Sequence, residues 1–452
     1  MKKSFVLLAV GATAVVAPPL CLSQSLPPIR QLGPVTAVAH DTLAAVSGIR
    51  ALSNGRVLVN DIVGRRVLMF DSTLSLVSVV ADTTGATANA YGTSPGGLIA
   101  YHGDSTLFVD PASLSMLLID PAGKIARVMS APRAQDIRFL IGGPFGSPGF
   151  DPSGKLVYRA PPNFMAFGTG VRAPAANGAP QMPTIPDSAA IVRFDLASRK
   201  LDTVTYFKTP KVVMNMTRSA EGQVRMTSIT NPLPQGDDWA LLPDGTIALV
   251  RTRDYHVDFL TPGGTVTSSP KIPFSWERLT DSAKVAFIDS ARVAIEKQRA
   301  ARVADMAGGG GGVVGPGMRI TVTADGAGGP PAGPRPSGGE NTNTTVTAGA
   351  GGAARDGQLP PLQMVAPSEL PDYKPAFAPG STRVDADGNL WIRTTQNVDG
   401  RPVYDVVNRQ GALVDRVQLP ANRVMMGFGP AGVVYLAVRD NGGVRLERAR
   451  VR

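Results

Sequence analysis

The chain has few cysteines, histidines and aromatic residues. Its 452 residues include one cysteine, Cys21, three histidines and only 6% aromatic residues. A single thiol excludes an internal disulfide and a cysteine-rich zinc site. None of His40, His102 and His256 lies in an H-E-x-x-H motif or another zinc-ligand motif. The sequence therefore predicts neither a catalytic thiol nor a zinc centre.

Long hydrophobic runs are also scarce, and the one at the start of the chain is short. Two lysines precede an apolar run over residues 5–17, and small polar residues follow it. A bilayer-spanning helix needs about 20 apolar residues, so the run is typical of a cleaved secretory signal. Two prolines and a leucine precede Cys21 and do not form a lipid-attachment site. We expect cleavage near Ser23 or Ser25, a signal peptide over residues 1–25, and a periplasmic or secreted protein without a membrane span.

Acidic residues are outnumbered by basic ones. The chain has 45 Lys and Arg against 35 Asp and Glu, a formal net charge of +10. The basic residues are spread along the chain rather than gathered in a tract, which disfavours nucleic acid as a partner. For an exported protein, an anionic small molecule or an envelope protein is the expected partner.

One short sequence motif occurs six times: a turn containing Gly or Asp, followed by a short, mostly apolar stretch. The six turns contain Gly55, Gly103, Gly154, Gly245, Gly388 and Gly432. In most copies a third and a fourth apolar stretch follow. Repeats of four short antiparallel strands are typical of β-propeller blades. The sequence therefore predicts an all-β, six-bladed β-propeller over residues 26–452, with two unrelated β-sandwiches as the alternative.

The last repeat is one strand short. It ends with residues 446–451, after which the chain has no room for a fourth strand. We expect residues 34–40, near the mature N-terminus, to supply that strand. This pairing would close the ring and cover its exposed strand edges.

Three phrases carry a resemblance to a known group of proteins. Residues 238–245 read Asp-Trp-Ala-Leu-Leu-Pro-Asp-Gly, residues 255–258 read Tyr-His-Val-Asp, and residues 371–375 read Pro-Asp-Tyr-Lys-Pro. This chain resembles exported bacterial six-bladed propellers of the NHL/TolB-like type, over most of its length in architecture and only in these phrases in detail. The resemblance implies fold and location rather than an activity.

Three stretches interrupt the repeats: residues 161–186, residues 212–236 and residues 276–365. The third has a predicted helix over residues 280–306 and a low-complexity loop over residues 307–357, which we predict to be disordered because Gly, Ala, Pro, Thr and Asn bury little apolar area. In a propeller, second-to-third-strand loops and blade-to-blade connections lie on one face. All three insertions therefore share that face, here called the inserted-loop face, where we expect binding.

The predicted helix has a repeating apolar side and several basic residues. Val285, Ile288, Arg292 and Ile295 recur at helical spacing and predict the helix. The helix is basic because it also contains Lys284, Arg292, Lys297, Arg299 and Arg302. One alternative function is therefore a cell-envelope scaffold in which this helix binds a partner protein.

Polar residues end the second strands on the inserted-loop face. They are Asn60, Asp61, Asp110, Arg159, Arg251, Arg393 and Arg439. Four arginines around one opening would create a positive field and could bind a carboxylate or phosphate. The alternative is structural: the arginines pair with Asp61, Asp110 and loop carbonyls and join the blades.

The sequence offers no convincing catalytic residue. Residues 92–96 match the G-x-S-x-G expression around Ser94, but Pro95 and the glycines after it cannot begin the helix which that motif needs. A lactonase-like hydrolase with an axial divalent cation such as calcium is the enzymatic alternative, and it could recruit Asn60, Asp61, Asp110 and Asn163. We favour a non-enzymatic binding propeller without a cofactor, which engages an anionic ligand or a partner protein on the inserted-loop face.

Overall fold

The computed structural model of the protein contains six blades of antiparallel β-strands. It describes residues 26–84, 91–162, 185–218, 224–307, 319–324, 344–349, 362–440 and 443–451. The predicted signal peptide, residues 1–25, lies outside the described residues. Within those described ranges, no helix is both long and apolar enough to cross a bilayer.

The first half of the chain forms two N-terminal strands and three blades. The N-terminal strands are β1 (Ile29–Gln31) and β2 (Val35–Val38). Blade one contains β3 (Val46–Ala51), β4 (Val57–Asp61), β5 (Arg66–Phe70) and β6 (Leu76–Ala81). Blade two contains β7 (Gly97–Ala100), β8 (Thr106–Asp110), β9 (Ser115–Ile119) and β10 (Ile125–Ser130). Two 3₁₀ helices, Ala134–Phe139 and Gly143–Phe145, precede blade three, which contains β11 (Gly149–Phe150), β12 (Leu156–Arg159), β13 (Ser188–Phe194) and β14 (Leu201–Lys208).

The second half alternates blades with inserted elements. Strands β15 (Val213–Arg218) and β16 (Val224–Ile229) precede blade four, which contains β17 (Asp238–Leu241), β18 (Ile247–Arg251), β19 (His256–Leu260) and β20 (Val266–Ser268). Helix α1 (Asp281–Ala307), β21 (Arg319–Ala324), β22 (Thr344–Gly349) and a 3₁₀ helix (Pro367–Glu369) follow. Blade five contains β23 (Phe377–Val384), β24 (Leu390–Val398), β25 (Arg401–Val407) and β26 (Leu413–Gln418). Blade six begins with β27 (Arg423–Phe428), β28 (Val433–Asp440) and β29 (Gly443–Arg450).

Apolar side chains pack between neighbouring blades around the whole circle. The described residues form six such clusters, one at each interface between consecutive blades, including the interface between blades six and one. First strands of neighbouring blades also contact one another, as β3 does with both β7 and β27. The predicted six-bladed propeller is therefore confirmed as a closed circle.

The six repeated turns are the joints between first and second strands. In each, the glycine identified from the sequence has a positive φ, from 60° at Gly103 to 83° at Gly55 and Gly245. L-residues with a Cβ rarely adopt this conformation, so a glycine at each turn allows the chain to reverse tightly. This backbone requirement explains why the repeat is visible in the sequence.

The N-terminal strand closes blade six as predicted. Strand β2 pairs antiparallel with β29 and becomes the outermost strand of that blade. The sequence did not predict β1, which pairs in parallel with β26 on the outer edge of blade five and places Ile29 opposite Arg416. Leu32, between β1 and β2, is buried in the cluster that joins blades five and six. The N-terminal segment therefore joins two blades.

Helix α1 is present within one residue of its predicted bounds, and of the four residues that recur at helical spacing Ile288 is the buried one. Val285 is 47% exposed and Arg292 is exposed, whereas Lys284 and Ile288 are buried. Ile288 packs against Leu233 and other apolar residues below the helix. The Lys284 side chain lies on this side because its Nζ donates to Asp372 Oδ1 at 2.7 Å. A sequence pattern of apolar residues alone could not reveal this ion pair.

The three insertions leave the propeller from the same face. They lie between β12 and β13, between β14 and β17, and between β20 and β23. Because strands alternate in direction, these connections share the inserted-loop face. The predicted disordered loop, residues 307–357, contains β21 and β22, which form a separate sheet with β15 and β16. Most other residues of that loop lie outside the described ranges.

Candidate functional site

The predicted acidic and amide residues lie at the ends of second strands, but their side chains have internal partners. Asn60 is buried; its amide nitrogen donates to the Gly96 carbonyl at 2.8 Å, and its oxygen accepts from the Tyr91 hydroxyl at 2.9 Å. Asp61 accepts from the backbone N–H of Ala44 and of Ala45 and from the Arg66 guanidinium. These bonds hold adjacent turns together.

Asp110 has a similar role in blade two. Its carboxylate accepts from the backbone N–H of Ala112 at 3.1 Å and from the Ser113 hydroxyl at 2.6 Å. Its side chain therefore stabilises the turn after β8. Asn163, the remaining residue that an axial cation could recruit, lies outside the described residues.

Arg251 joins two carboxylates within blade four. Its Nη1 lies 2.8 Å from Asp237 Oδ2, and its Nε lies 2.6 Å from Asp258 Oδ2. The structural alternative therefore describes this arginine well, although its partners are not Asp61 or Asp110.

Arg159 lies between two aromatic rings near the start of the first insertion. Its guanidinium carbon is 5.5 Å from the Phe145 ring centroid and 5.6 Å from that of Phe207. Burial lowers its pKa, and the nearby Asp238 carboxylate opposes that change. The pocket beside it has a volume of about 10 Å³, which is room for a single water at most.

The four arginines do not share one blade interface. Side chains alternate along a strand, so Arg159 and Arg251 lie between blades three and four, Arg393 lies on the side of blade five that faces blade six, and Arg439 lies between blades six and one. Arg393 and Arg439 are exposed. Binding of a ligand by this set stays a prediction.

A larger opening lies on the inserted-loop face beside blade five. This blade-five cleft has a volume of about 650 Å³, within the usual range of small-molecule sites. Three parts of the chain line it: the N-terminal strand, the connection between blades four and five, and blade five itself. The lining residues are Ile29, Phe274, Ser275, Trp276, Glu277, Lys374, Thr395, Gln396, Asn397, Val398 and Arg416.

Arg416 lines the cleft from β26, with the Asp405 carboxylate beside it. The Arg416 side chain is only 8% exposed, its Nε lies 3.3 Å from Asp405 Oδ1, and its Nη2 donates to the Gln396 side-chain oxygen, Oε1. Tyr255 from blade four donates its hydroxyl to Asp405 Oδ2 at 2.9 Å. Burial raises the pKa of Asp405 to about 6, although the Tyr255 hydrogen bond and the Arg416 charge favour its ionised form. Burial and the Asp405 charge raise the Tyr255 pKa well above its usual value, so that hydroxyl remains a donor.

An aromatic pair forms one wall of the cleft. The rings of Phe274 and Trp276 meet edge to face, with centroids 5.2 Å apart, and Trp276 is 41% exposed. Phe274 packs in turn against Tyr255, with centroids 5.6 Å apart. The wall is thus anchored to blade four while the indole remains open to a ligand.

Lys374 and Glu277 form an ion pair at the cleft. Lys374 Nζ lies 3.3 Å from Glu277 Oε2, and the lysine side chain is 23% exposed against 62% for the glutamate. Lys374 Nζ also lies 6.0 Å from the Phe287 ring centroid on α1. This exposed pair is weak, so the lysine can exchange its partner for a bound anion.

Among the described residues, no group of three or more His, Cys, Asp and Glu side chains is arranged to hold a metal ion. His256 is engaged by two carboxylates, Asp254 at 2.7 Å and Asp258 at 3.3 Å. The Ser94 segment leads into strand β7 rather than a helix. The arrangement seen in a nucleophile elbow is therefore not present at Ser94.

Sequence reasoning missed the blade-five cleft. Its lining comes from residues as far apart as Ile29 and Arg416, and no local motif joins them. One signal was available: Asp405 is a charged residue within a largely apolar strand, Arg416 lies on the next strand, and buried charges need partners. Pairing them would have drawn attention to this side of blade five.

Comparisons with known proteins found similar solved structures and no family. No protein-family model matches it, and no curated protein does so significantly. Similar solved structures include virginiamycin B lyase from Staphylococcus aureus, 10% identical over 92% of this chain and 98% of that chain with a TM-score of 0.36. A gluconolactonase from Xanthomonas campestris is 11% identical over 95% and 99%, with a TM-score of 0.34. Regucalcin from Agrobacterium tumefaciens, a calcium-binding protein, is 12% identical over 94% and 98%, with a TM-score of 0.37.

Proposed function

We propose that this protein is a binding propeller that holds a small anionic ligand in the blade-five cleft. The observation that carries this proposal is the nearly buried Arg416 at a cleft of about 650 Å³ that Lys374 and Trp276 also line. Buried arginines that retain hydrogen-bonding capacity are strong partners for carboxylates and phosphates. The connection between blades four and five, which lines the cleft, supports a binding role because loops on a rigid scaffold commonly carry recognition.

A ligand screen with matched lysine variants tests this function. Acetate, succinate, citrate, gluconate, benzoate and inorganic phosphate would be compared by thermal shift and then by calorimetric titration. We expect at least one anion to stabilise the protein, and Lys374→Met to weaken its binding by about fivefold or more through loss of a positive charge at the cleft. Methionine keeps the aliphatic part of the side chain beside Phe287.

Lys271→Met is the control, because Lys271 belongs to the same connection, is 74% exposed and lies outside the cleft lining. Its removal changes the net charge by the same amount. If no anion binds, or if both lysine variants weaken binding equally, the proposed site is wrong.

We also propose that the protein acts outside the cytoplasm. The charged start and short apolar run of residues 1–25 support export. Cell fractionation followed by N-terminal sequencing tests this, with an expected mature start near residue 24 or residue 26. A cytoplasmic protein that retains Met1 would contradict it.

A further inference from the structure

The hydrogen bonds of Arg416 leave one of its nitrogens available at the cleft. Nε is directed to Asp405 and Nη2 to Gln396. No hydrogen bond joins Nη1 to any other residue in the described parts of the chain, and Arg416 lines the cleft. The residue is 7% exposed, so its guanidinium is fixed by the protein rather than by solvent. A single oxyanion group can therefore complete its hydrogen bonding.

The charged residues around Arg416 favour a ligand with one negative charge over a ligand with several. Asp405 lies on one side of the guanidinium, and Glu277 accompanies Lys374 at the cleft. A second ligand carboxylate or a phosphate dianion would meet one of these carboxylates. Like charges at short range are destabilising, so a monoanion is the better match.

The walls of the cleft favour a flat apolar group beside that charge. Trp276 presents an indole that is 41% exposed, and Phe274 supports it edge to face. Ile29 and Val398 add aliphatic side chains from the N-terminal strand and from blade five. Aromatic rings pair with other rings through offset or edge-to-face contacts. An aromatic ligand would therefore bury apolar area in the cleft and make a favourable ring contact with the indole.

We infer that the blade-five cleft selects an aromatic monoanion of the aryl carboxylate class, with its carboxylate on Arg416 and its ring on Trp276. This inference rests on the proposed function and specifies its ligand. The exposed Asn397 also lines the cleft, and its amide suits a hydroxyl substituent on the ring.

Three matched compounds test the inference by calorimetric titration. They are 4-hydroxybenzoate, cyclohexanecarboxylate, which keeps the charge without a flat ring, and 4-hydroxybenzyl alcohol, which keeps the ring without the charge. We expect 4-hydroxybenzoate to bind about three- to tenfold more tightly than cyclohexanecarboxylate. We expect the neutral alcohol to bind more weakly than the benzoate by about tenfold or more.

Two aromatic variants separate stacking from general packing. Trp276→Leu should reduce the preference for the flat ring to less than about twofold, because leucine keeps apolar area without an aromatic face. Tyr373→Leu is the control, since Tyr373 is 50% exposed on the neighbouring segment and does not line the cleft. It should leave the preference unchanged.

The outcomes distinguish this inference from the proposed function. If 4-hydroxybenzoate and cyclohexanecarboxylate bind with equal affinity and Lys374→Met weakens the binding of both, the inferred ligand class is wrong and the proposed anion site is supported. Binding of inorganic phosphate or citrate in preference to all three compounds overturns it as well. Failure of every anion to bind removes the proposed function together with the inference.

Discussion

The Tyr255 hydroxyl of blade four donates a hydrogen bond to the Asp405 carboxylate of blade five at 2.9 Å. Both residues are fully buried, and 150 positions separate them in the chain. The bond joins two blades beneath the cleft and places the carboxylate beside Arg416. The same contact therefore stabilises the interface and positions the basic group that we propose to bind ligand.

Replacing Asp405 should alter how stability depends on pH. Folding raises the pKa of this carboxyl from 3.8 to about 6, so the folded state binds the proton more tightly than the unfolded state. The contribution of Asp405 to the free energy of unfolding is therefore most favourable below about pH 4 and falls as pH rises to about 6, by about 3 kcal/mol in all. Asp405→Asn removes this titration. Urea unfolding at several pH values should show the variant gaining stability relative to the wild type across this interval.

Asp399→Asn serves as the control for that experiment. Asp399 lies in the turn between two strands of blade five, but its side chain is 78% exposed and pairs with Arg401 at 3.2 Å. Its pH profile should parallel that of the wild type. A constant offset between Asp405→Asn and the wild type at all pH values would show that folding does not shift the Asp405 pKa.

Affinity for an anion in the cleft should rise as the pH falls. Protonation of Asp405 removes the negative charge beside Arg416, so the guanidinium attracts a bound anion more strongly. Benzenesulfonate is a suitable probe because it stays ionised. Its affinity should increase about threefold or more as pH falls from about 7.5 to about 5.5, and Asp405→Asn should make the profile flat. A pH-dependent profile that persists in the variant would assign the titration to another group.

Blade architecture could be predicted because its signals are local. A turn that needs a positive φ selects glycine, and residues such as Gly154 and Gly388 therefore mark the repeat. The ends of strands could also be predicted from the sequence. Strand β12 ends at Arg159 and β18 ends at Arg251, as expected. The side of a sheet that each side chain occupies depends on register, which a one-residue shift reverses.

The cleft could not be predicted because its parts meet only after the circle closes. Ile29 reaches it through the parallel pairing of β1 with β26, and Trp276 reaches it through an irregular connection. The sequence places these residues hundreds of positions apart and gives no repeat or spacing that links them. The same reason explains Asn60, whose partners Gly96 and Tyr91 lie in the connection that leads into the neighbouring blade.

Substitutions in the G-x-S-x-G segment should separate its structural role from a catalytic one. A Cβ added at Gly96 would lie 2.8 Å from the Val109 carbonyl oxygen and closer still to the Phe108 ring. Gly96→Ala should therefore destabilise the protein by about 1–3 kcal/mol. Ser94→Ala should have an effect of less than about 0.5 kcal/mol. Thermal unfolding checks both, and a loss of stability in the serine variant alone would contradict this interpretation.

Removal of divalent cations should leave the stability unchanged. Asn60, Asp61 and Asp110, which an axial cation would recruit, already hold backbone and side-chain partners. Dialysis against a chelator should shift the melting temperature by less than about 1 °C, and elemental analysis should find no stoichiometric metal. A bound ion with a lower melting temperature after its removal would favour the hydrolase alternative instead.

Shortening the N-terminus should have two distinct effects, with the chain starting at residue 26 as the reference. A start at residue 33 removes β1 and its contacts, including the ion pair of Arg30 with Asp415. It should lower the melting temperature by a few degrees and weaken anion binding, because Ile29 lines the cleft. A start at residue 41 also removes β2 and exposes the edge of β29, so the protein should aggregate or unfold.

Light scattering and thermal unfolding distinguish the two shortened chains. The difference in melting temperature between the two shortened chains is the informative quantity. Strand β1 adds a fifth strand to a complete blade, whereas β2 completes blade six. Equal loss of stability in both would mean that the parallel strand contributes as much as ring closure. A monomeric, fully stable chain starting at residue 41 would show that the circle of blades does not depend on its terminal strand pairing.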